Sequence, residues 1–103
     1  MPRDKEALEF EAILRKKRED ILRIAAKHGA FNVRIVGSIA RGEARKDSDL
    51  DLLVETETET SSWFPAGLIL ELEEILDRHV EIVTEKGLNQ YIRDQVLREA
   101  VPL

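Results

Sequence analysis

Two short motifs separated by ten residues carry the chemistry that this sequence can do: Gly37-Ser38 and Asp49-Leu50-Asp51. A glycine and a serine at the end of a strand make a turn whose free amides and hydroxyl can hold phosphates. Strand side chains alternate, so Asp49 and Asp51 are expected on one face, with backbones roughly 6.6 Å apart. Magnesium binds through one or two carboxylates together with substrate phosphates. The two motifs therefore predict a metal-dependent site for nucleotide transfer.

A third acid lies on a later predicted strand. In the segment Val80-Glu81-Ile82-Val83, alternation places Glu81 on the face opposite Val80 and Ile82. Two-metal phosphoryl transfer commonly uses a third carboxylate opposite the first pair, so we expect Glu81 to complete the site. The alternative is a solvated acid on a half-exposed strand.

The elements that must position these acids follow from hydrophobic periodicity. We predict helices over residues 4–28, 65–78 and 88–100, strands over residues 32–36, 49–55 and 79–84, and a loop over residues 56–62. Four side chains of the last helix are expected to pack inward: Tyr91, Ile92, Val96 and Leu97. Alternating helices and strands predict an α/β (α+β) fold, a small three-stranded sheet with covering helices.

Length and composition limit the class of protein. The 103 residues fit one small domain over residues 1–103, and with 43% hydrophobic and 36% charged residues the composition is globular. A net charge of -5 argues against direct binding of nucleic acid, which relies on a surplus of Lys and Arg. The sequence has no cysteine and no apolar run that could span a membrane. We therefore expect a cytoplasmic protein without a membrane partner.

Residues 37–54 read GSIARGEARKDSDLDLLV. This segment resembles the signature of the DNA polymerase β-type nucleotidyltransferase superfamily, in which Gly-Ser is followed by a spacer and Asp-x-Asp. The fuller string is similar to its minimal branch, the MNT-type antitoxins that act beside HEPN-type toxins. The resemblance extends from Ile21 to the C-terminus and implies the nucleotidyltransferase fold with a mixed sheet.

The resemblance also implies an activity. MNT-type antitoxins of type VII toxin–antitoxin systems transfer AMP from ATP to a tyrosine of a HEPN ribonuclease toxin. By this resemblance Asp49 and Asp51 hold magnesium, Glu81 completes a second metal position, and Gly37 and Ser38 hold the β and γ phosphates. The implied cofactor is two Mg²⁺ ions, and the implied partners are ATP and the toxin. Homo- or hetero-oligomers both remain open.

One departure from the family's pattern leaves a second function open. The family most often has Asp where this chain has Glu81, one methylene longer. The alternative is thus a catalytically weak or inactive antitoxin that neutralises its toxin by binding. A third reading is a regulatory domain that binds ATP without turnover.

Several side chains keep two interpretations. Ser38 either contacts phosphate or caps a helix. Arg41, like Arg45 and Lys46, either contacts the nucleotide phosphates or is solvated. Trp63 and Phe64 pack into the core or contact a partner, and Tyr91 is a core residue or a self-modified one.

Overall fold

The computed structural model describes residues 5–43, 45 and 47–103. In chain order the elements are α1 (Lys5–Lys27), β1 (Ala30–Val36), α2 (Gly37–Ala40), β2 (Leu50–Thr56), α3 (Ala66–Leu76), β3 (Val80–Thr84), a 3-10 turn (Glu85–Gly87), α4 (Arg93–Glu99) and β4 (Val101–Pro102). The helices and strands predicted up to β3 are present, with ends shifted by one or two residues, which is the usual uncertainty of such boundaries. The predicted start at residue 4 lies outside the described residues.

The sheet has the strand order β3-β2-β1-β4. β2 pairs with β3 in parallel and β1 pairs with β2 and β4 in antiparallel, so the sheet is mixed as expected. The prediction of three strands was wrong, because β4 adds a fourth. This strand has only two residues, which pair with Arg34 and Ile35. A strand that short has no alternation that a sequence pattern can reveal.

Helices α1 and α3 pack on one face of the sheet and bury the core between them. Leu50, Leu52 and Val54 alternate along β2 toward these helices, each at most 1% exposed. Ile21 of α1 and Leu72 of α3 are fully buried against them. Burial of each such side chain stabilises the fold by about 1.5–3 kcal/mol. The opposite face of β2 is therefore left to present Asp51.

The segment after β3 differs most from the prediction. The expected helix over residues 88–100 is reduced to α4, which begins only at Arg93. Asn89 Oδ1 accepts a hydrogen bond from the Tyr91 amide at 2.8 Å, a local turn that competes with helix formation. Tyr91 is 86% exposed and Ile92 48%, so the expectation that they pack inward was wrong.

Trp63 and Phe64 have different environments in the structure. Phe64 packs against the core, whereas Trp63 is 86% exposed with a positive φ of 66°. Core packing of Trp63 is therefore excluded, and contact with a partner stays a prediction. No helix among residues 5–43, 45 and 47–103 is both long enough and apolar enough to cross a membrane.

Candidate active site

The acids predicted from sequence meet at one place on the sheet. Asp51 of β2 is opposite Val36 of β1 in the antiparallel pair and opposite Glu81 of β3 in the parallel pair. Asp51 is half-buried and Glu81 is exposed. Asp49 is exposed and lies immediately before β2, outside the strand in which it was predicted. The sheet register thus makes Asp51 the centre of the acid cluster, with Glu81 as its direct cross-strand neighbour.

The neighbouring carboxyl groups disfavour the ionised form of Asp51. The pKa of Asp51 is raised from its ordinary value of 3.8 to about 6. Burial is the largest cause, followed by the negative charge of Glu81, a hydrogen bond to Glu81 and the charge of Asp49, while Arg41 acts in the opposite direction. Burial and nearby like charges both disfavour an ionised carboxyl group. The cluster is therefore suited to a cation that would offset this repulsion.

Gly37 lies directly against Asp51, the central acid of the cluster. Its φ is +77°, a conformation that side chains disfavour, and a β-carbon there would overlap Oδ2 of Asp51. The absence of a side chain thus lets the β1–α2 turn pass directly over the Asp51 carboxylate. Sequence reasoning assigned this glycine to the approach of a ligand, and the structure adds the approach of Asp51 itself.

Ser38 is the second residue of α2, and Val36 occupies the N-cap position with no side-chain hydrogen bond. The capping interpretation of Ser38 was therefore wrong, and its contact with phosphate stays a prediction. Ser38 is half-buried one residue from the turn over Asp51.

Arg41 directly follows α2 and lines the cleft beside Asp51. Its Nε donates to Glu43 Oε2 at 3.1 Å, and its Nη1 lies 3.6 Å from Glu99 Oε2. The hydrogen bond and charge of Glu43 raise the pKa of Arg41, with a smaller contribution from Glu99. Arg41 thus brings a positive charge to the acid cluster while it is paired with two other acids. Arg45 is exposed, and Lys46 lies outside the described residues.

A cleft of about 300 Å³ opens over Asp51 and Glu81, whereas Asp49 and Ser38 are not among its lining residues. One side is formed by Gly37, Arg41, Asp51 and Glu81. The other side is an apolar wall from the segment after β3, which we call the C-terminal wall: Leu88, Ile92 and Val96. Sequence reasoning missed this wall because it assigned Ile92 and Val96 to the core. The signal was present, since the three apolar residues are spaced by four.

The donor set fits a hard divalent cation only in part. Carboxylate oxygens are the ligands that magnesium prefers, and Glu81 is the cross-strand neighbour whose charge disfavours ionisation of Asp51. Yet no group of three or more acidic, histidine or cysteine side chains in the described part of the chain is arranged to hold a metal ion. Among the described residues, the carboxylates available to a cation are therefore the neighbouring pair Asp51 and Glu81, with Asp49 nearby, and no group of three is formed.

Comparison with known proteins identifies the family of this chain. The nucleotidyltransferase domain family matches residues 8–103. Protein adenylyltransferase MntA of Thermococcus cleftensis is 34% identical over 93 residues, covering 90% of this chain and 91% of the relative. A protein of Methanocaldococcus jannaschii, provisionally named a protein adenylyltransferase, is 38% identical over 81 residues, covering 79% of this chain and 87% of the relative.

Solved structures share the fold. One provisionally described as a minimal nucleotidyltransferase superposes with a TM-score of 0.80 at 53% identity, covering 91% of this chain and 95% of that one. A toxin–antitoxin complex with AMP-PNP superposes with a TM-score of 0.66 at 22% identity, covering 84% of this chain and 69% of that one, and supports the fold alone. With its acid cluster, its glycine turn and a family match over nearly the whole length, this chain belongs to the nucleotidyltransferase domain family and to its minimal, MntA-like members.

Proposed function

We propose that this chain is the antitoxin of a toxin–antitoxin pair and silences its partner by transferring AMP from ATP to a tyrosyl hydroxyl of a HEPN-type toxin. The observation that carries the proposal is the pairing of Asp51 with Glu81 beneath the Gly37 turn. This places two acids and a potential phosphate-binding turn on one wall of a single cleft. The name of the Thermococcus relative, protein adenylyltransferase, supports the nucleotide and the class of acceptor.

Magnesium is the proposed cofactor. Asp51 and its neighbours Asp49 and Glu81 would hold it, and when bound it would neutralise the triphosphate and favour release of pyrophosphate. The two ions implied by the family resemblance remain a prediction, because the described residues do not form a closed group of three acids.

Phosphate binding and proton acceptance are assigned to other residues of the chain and to Glu81. The Gly37 turn and Ser38 would receive the β and γ phosphates, and Arg41 would exchange its carboxylate partners for a phosphate. Glu81 is exposed and lines the cleft, so a carboxylate oxygen that does not bind the metal can accept a proton from an incoming hydroxyl. Catalysis by such a site rests mainly on positioning and on charge neutralisation.

The proposed reaction balances without a further reactant. The tyrosyl oxygen forms a bond to the α-phosphorus while the bond from that phosphorus to the bridging oxygen breaks. Pyrophosphate leaves, the hydroxyl proton passes to Glu81, and the product is an AMP ester of tyrosine.

The test is transfer of label from α-labelled ATP in the presence of magnesium and the co-encoded neighbour protein. We expect label on a tyrosine of the neighbour, and no label when Asp49→Asn and Asp51→Asn are combined. A Tyr91→Phe variant serves as control, because it removes the only tyrosine of this chain and with it any self-modification. Absence of label with the unmodified chain, despite tight binding of the two proteins, would contradict the proposal.

The second candidate is an antitoxin that neutralises by binding alone. Two observations favour it: Glu replaces the family's usual Asp at position 81, and no three-carboxylate metal group is formed among the described residues. If this candidate is right, the Asp49→Asn/Asp51→Asn variant will still neutralise the toxin at a one-to-one ratio. If the enzymatic proposal is right, that variant will fail to protect.

A further inference from the structure

The C-terminal wall of the cleft depends on contacts outside the buried core for its position. It belongs to the segment from Glu85 to Glu99, in which no residue is buried. An element normally keeps its position through an apolar face packed into the core. The apolar residues of this segment, such as Leu88 and Val96, are half-buried at most, so polar contacts are also needed to hold it over the acids.

Those contacts are supplied by an ion-pair cluster at the start of the segment. Arg34 Nη2 donates to Glu85 Oε2 at 2.7 Å, and Arg93 Nη2 donates to Glu85 Oε1 at 3.2 Å. Arg93 Nη1 also donates to the Glu85 carbonyl at 3.0 Å. Glu85 is thus held by one arginine from the sheet and one from α4, and the hydrogen bond and charge of Arg34 and the charge of Arg93 lower its pKa.

The cluster is sheltered enough for its ion pairs to matter. The side chains of Arg34 and Glu85 are only 13% and 22% exposed, whereas most surface pairs are fully solvated and contribute little. Leu53 lies between Arg34 and Val83 in the sheet register and is fully buried, although it does not belong to the core beneath α1 and α3. The face of the sheet beside Arg34 is therefore covered.

We propose that Arg34, Glu85 and Arg93 form a clamp that positions the C-terminal wall for nucleotide binding. The clamp fixes the start of the segment to β1, and strand β4, which pairs with β1, fixes its end. Leu88, Ile92 and Val96 are thereby held across the cleft from Asp51. The three clamp residues do not touch the reacting atoms; they are positioning residues. The inference rests on the proposed function, since it takes this cleft as the ATP site.

Two variants test the clamp. Glu85→Gln removes the charge that both arginines share, and Arg93→Gln removes only the more exposed partner and leaves the 2.7 Å Arg34–Glu85 pair in place. We expect each variant to weaken ATP binding about tenfold, equivalent to about 1.4 kcal/mol, because a loosened wall must be ordered when the nucleotide binds. We expect kcat to change less than about twofold, since the acids do not move.

The matched control is Glu71→Gln. Glu71 is also a paired carboxylate, 2.7 Å from Lys27 Nζ and 3.3 Å from His28 Nε2, but it lies on α3 behind the sheet. This variant should lower the melting temperature without changing ATP affinity. The measurements are equilibrium binding of a fluorescent ATP analogue, the separation of KM from kcat, and hydrogen exchange over residues 88–99.

The possible results distinguish failure of the clamp from failure of the proposed function. Weaker binding and faster exchange in both clamp variants, but not in Glu71→Gln, would support the clamp. Unchanged affinity in Glu85→Gln and Arg93→Gln, or an equal loss in Glu71→Gln, would overturn it. ATP binding by the unmodified chain without AMP transfer would overturn the proposed function alone, and absence of ATP binding would overturn both.

Discussion

Replacement of Asp51 by Asn should stabilise the protein in the absence of metal while it removes activity. Asn has nearly the same shape as Asp but no charge to bury beside Glu81. The pKa of Asp51 is raised from 3.8 to about 6, and each unit corresponds to about 1.36 kcal/mol. The shift of about two units sets an upper limit of about 3 kcal/mol. Because Asp51 is only half-buried, solvent screening reduces this to about 1–1.5 kcal/mol.

The pH dependence provides a second test of the same reasoning. The folded-state pKa lies above the unfolded one, so the native protein binds the proton more tightly. Below about pH 4, the Asp51 carboxyl group therefore does not lower the free energy of unfolding. As the pH rises from 3.8 through about 6, the free energy of unfolding falls, because the unfolded chain releases this proton more readily than the folded one. The advantage of Asp51→Asn should accordingly be about a third of its full size at pH 4.5 and complete at pH 7.5.

The assay is urea unfolding at pH 4.5 and at pH 7.5, first without divalent ions and then with magnesium. Asp49→Asn is the control, because Asp49 is exposed and should gain less. Magnesium should raise the stability of the unmodified chain by RT ln(1 + [Mg²⁺]/Kd) and leave Asp51→Asn nearly unchanged. A less stable Asp51→Asn variant, or a gain that is equal at both pH values, would refute the argument that repulsion at this acid cluster opposes folding.

Three further predictions concern the same cleft and its surroundings. Gly37→Ala should lower the unfolding free energy by about 1–2 kcal/mol and abolish AMP transfer, since a β-carbon there is both strained and in conflict with Asp51. The control is Gly29→Ala, also at positive φ, which should lose stability but keep activity. Glu81→Gln should reduce the rate of transfer by at least about tenfold and shift the acid limb of the pH–rate profile below pH 6, because it removes a charge that raises the pKa of Asp51; an unchanged profile would contradict this. Trp63→Ala should change stability by less than about 0.5 kcal/mol, as its ring is 86% exposed, and a titration with the partner protein decides whether Trp63 contributes to that contact.

The parts of the fold that the sequence predicted are those governed by short-range periodicity. Alternation along β2 separates Leu50 and Leu52 from Asp51. The apolar residues that recur with helical periodicity in α1 are buried: Phe10, Leu14, Ile21 and Ala25. The proximity of Asp51 and Glu81 could not be deduced in this way, because thirty residues and helix α3 separate them. That contact depends on parallel pairing of β2 with β3, and only the family resemblance implied a mixed sheet.

The C-terminal wall shows why the remainder of the site was not predicted. Leu88, Ile92 and Val96 have the spacing of a buried helical face, and periodicity alone cannot distinguish a face packed on a core from one that lines a cleft. In this protein the segment is held against the sheet by the ion pairs of Glu85 with Arg34 and Arg93. A pattern of apolar residues contains no information about such polar anchoring, which involves side chains 51 and 59 positions from Arg34 along the chain.

These two halves of the cleft are built by different forces, and that difference bears on function. Asp51 and the Gly37 turn are attached to strands whose other face is buried in the main core, so local motion there would require the core to open. The C-terminal wall has no buried residue and is held by ion pairs, which places it at the low-stability end of the molecule. A site arranged in this way keeps its acids fixed while the opposite wall can yield. Under the proposed function, a tyrosine of the partner protein has to reach the α-phosphate in this cleft, and we expect it to enter past the yielding wall, from the side of Leu88 and Ile92.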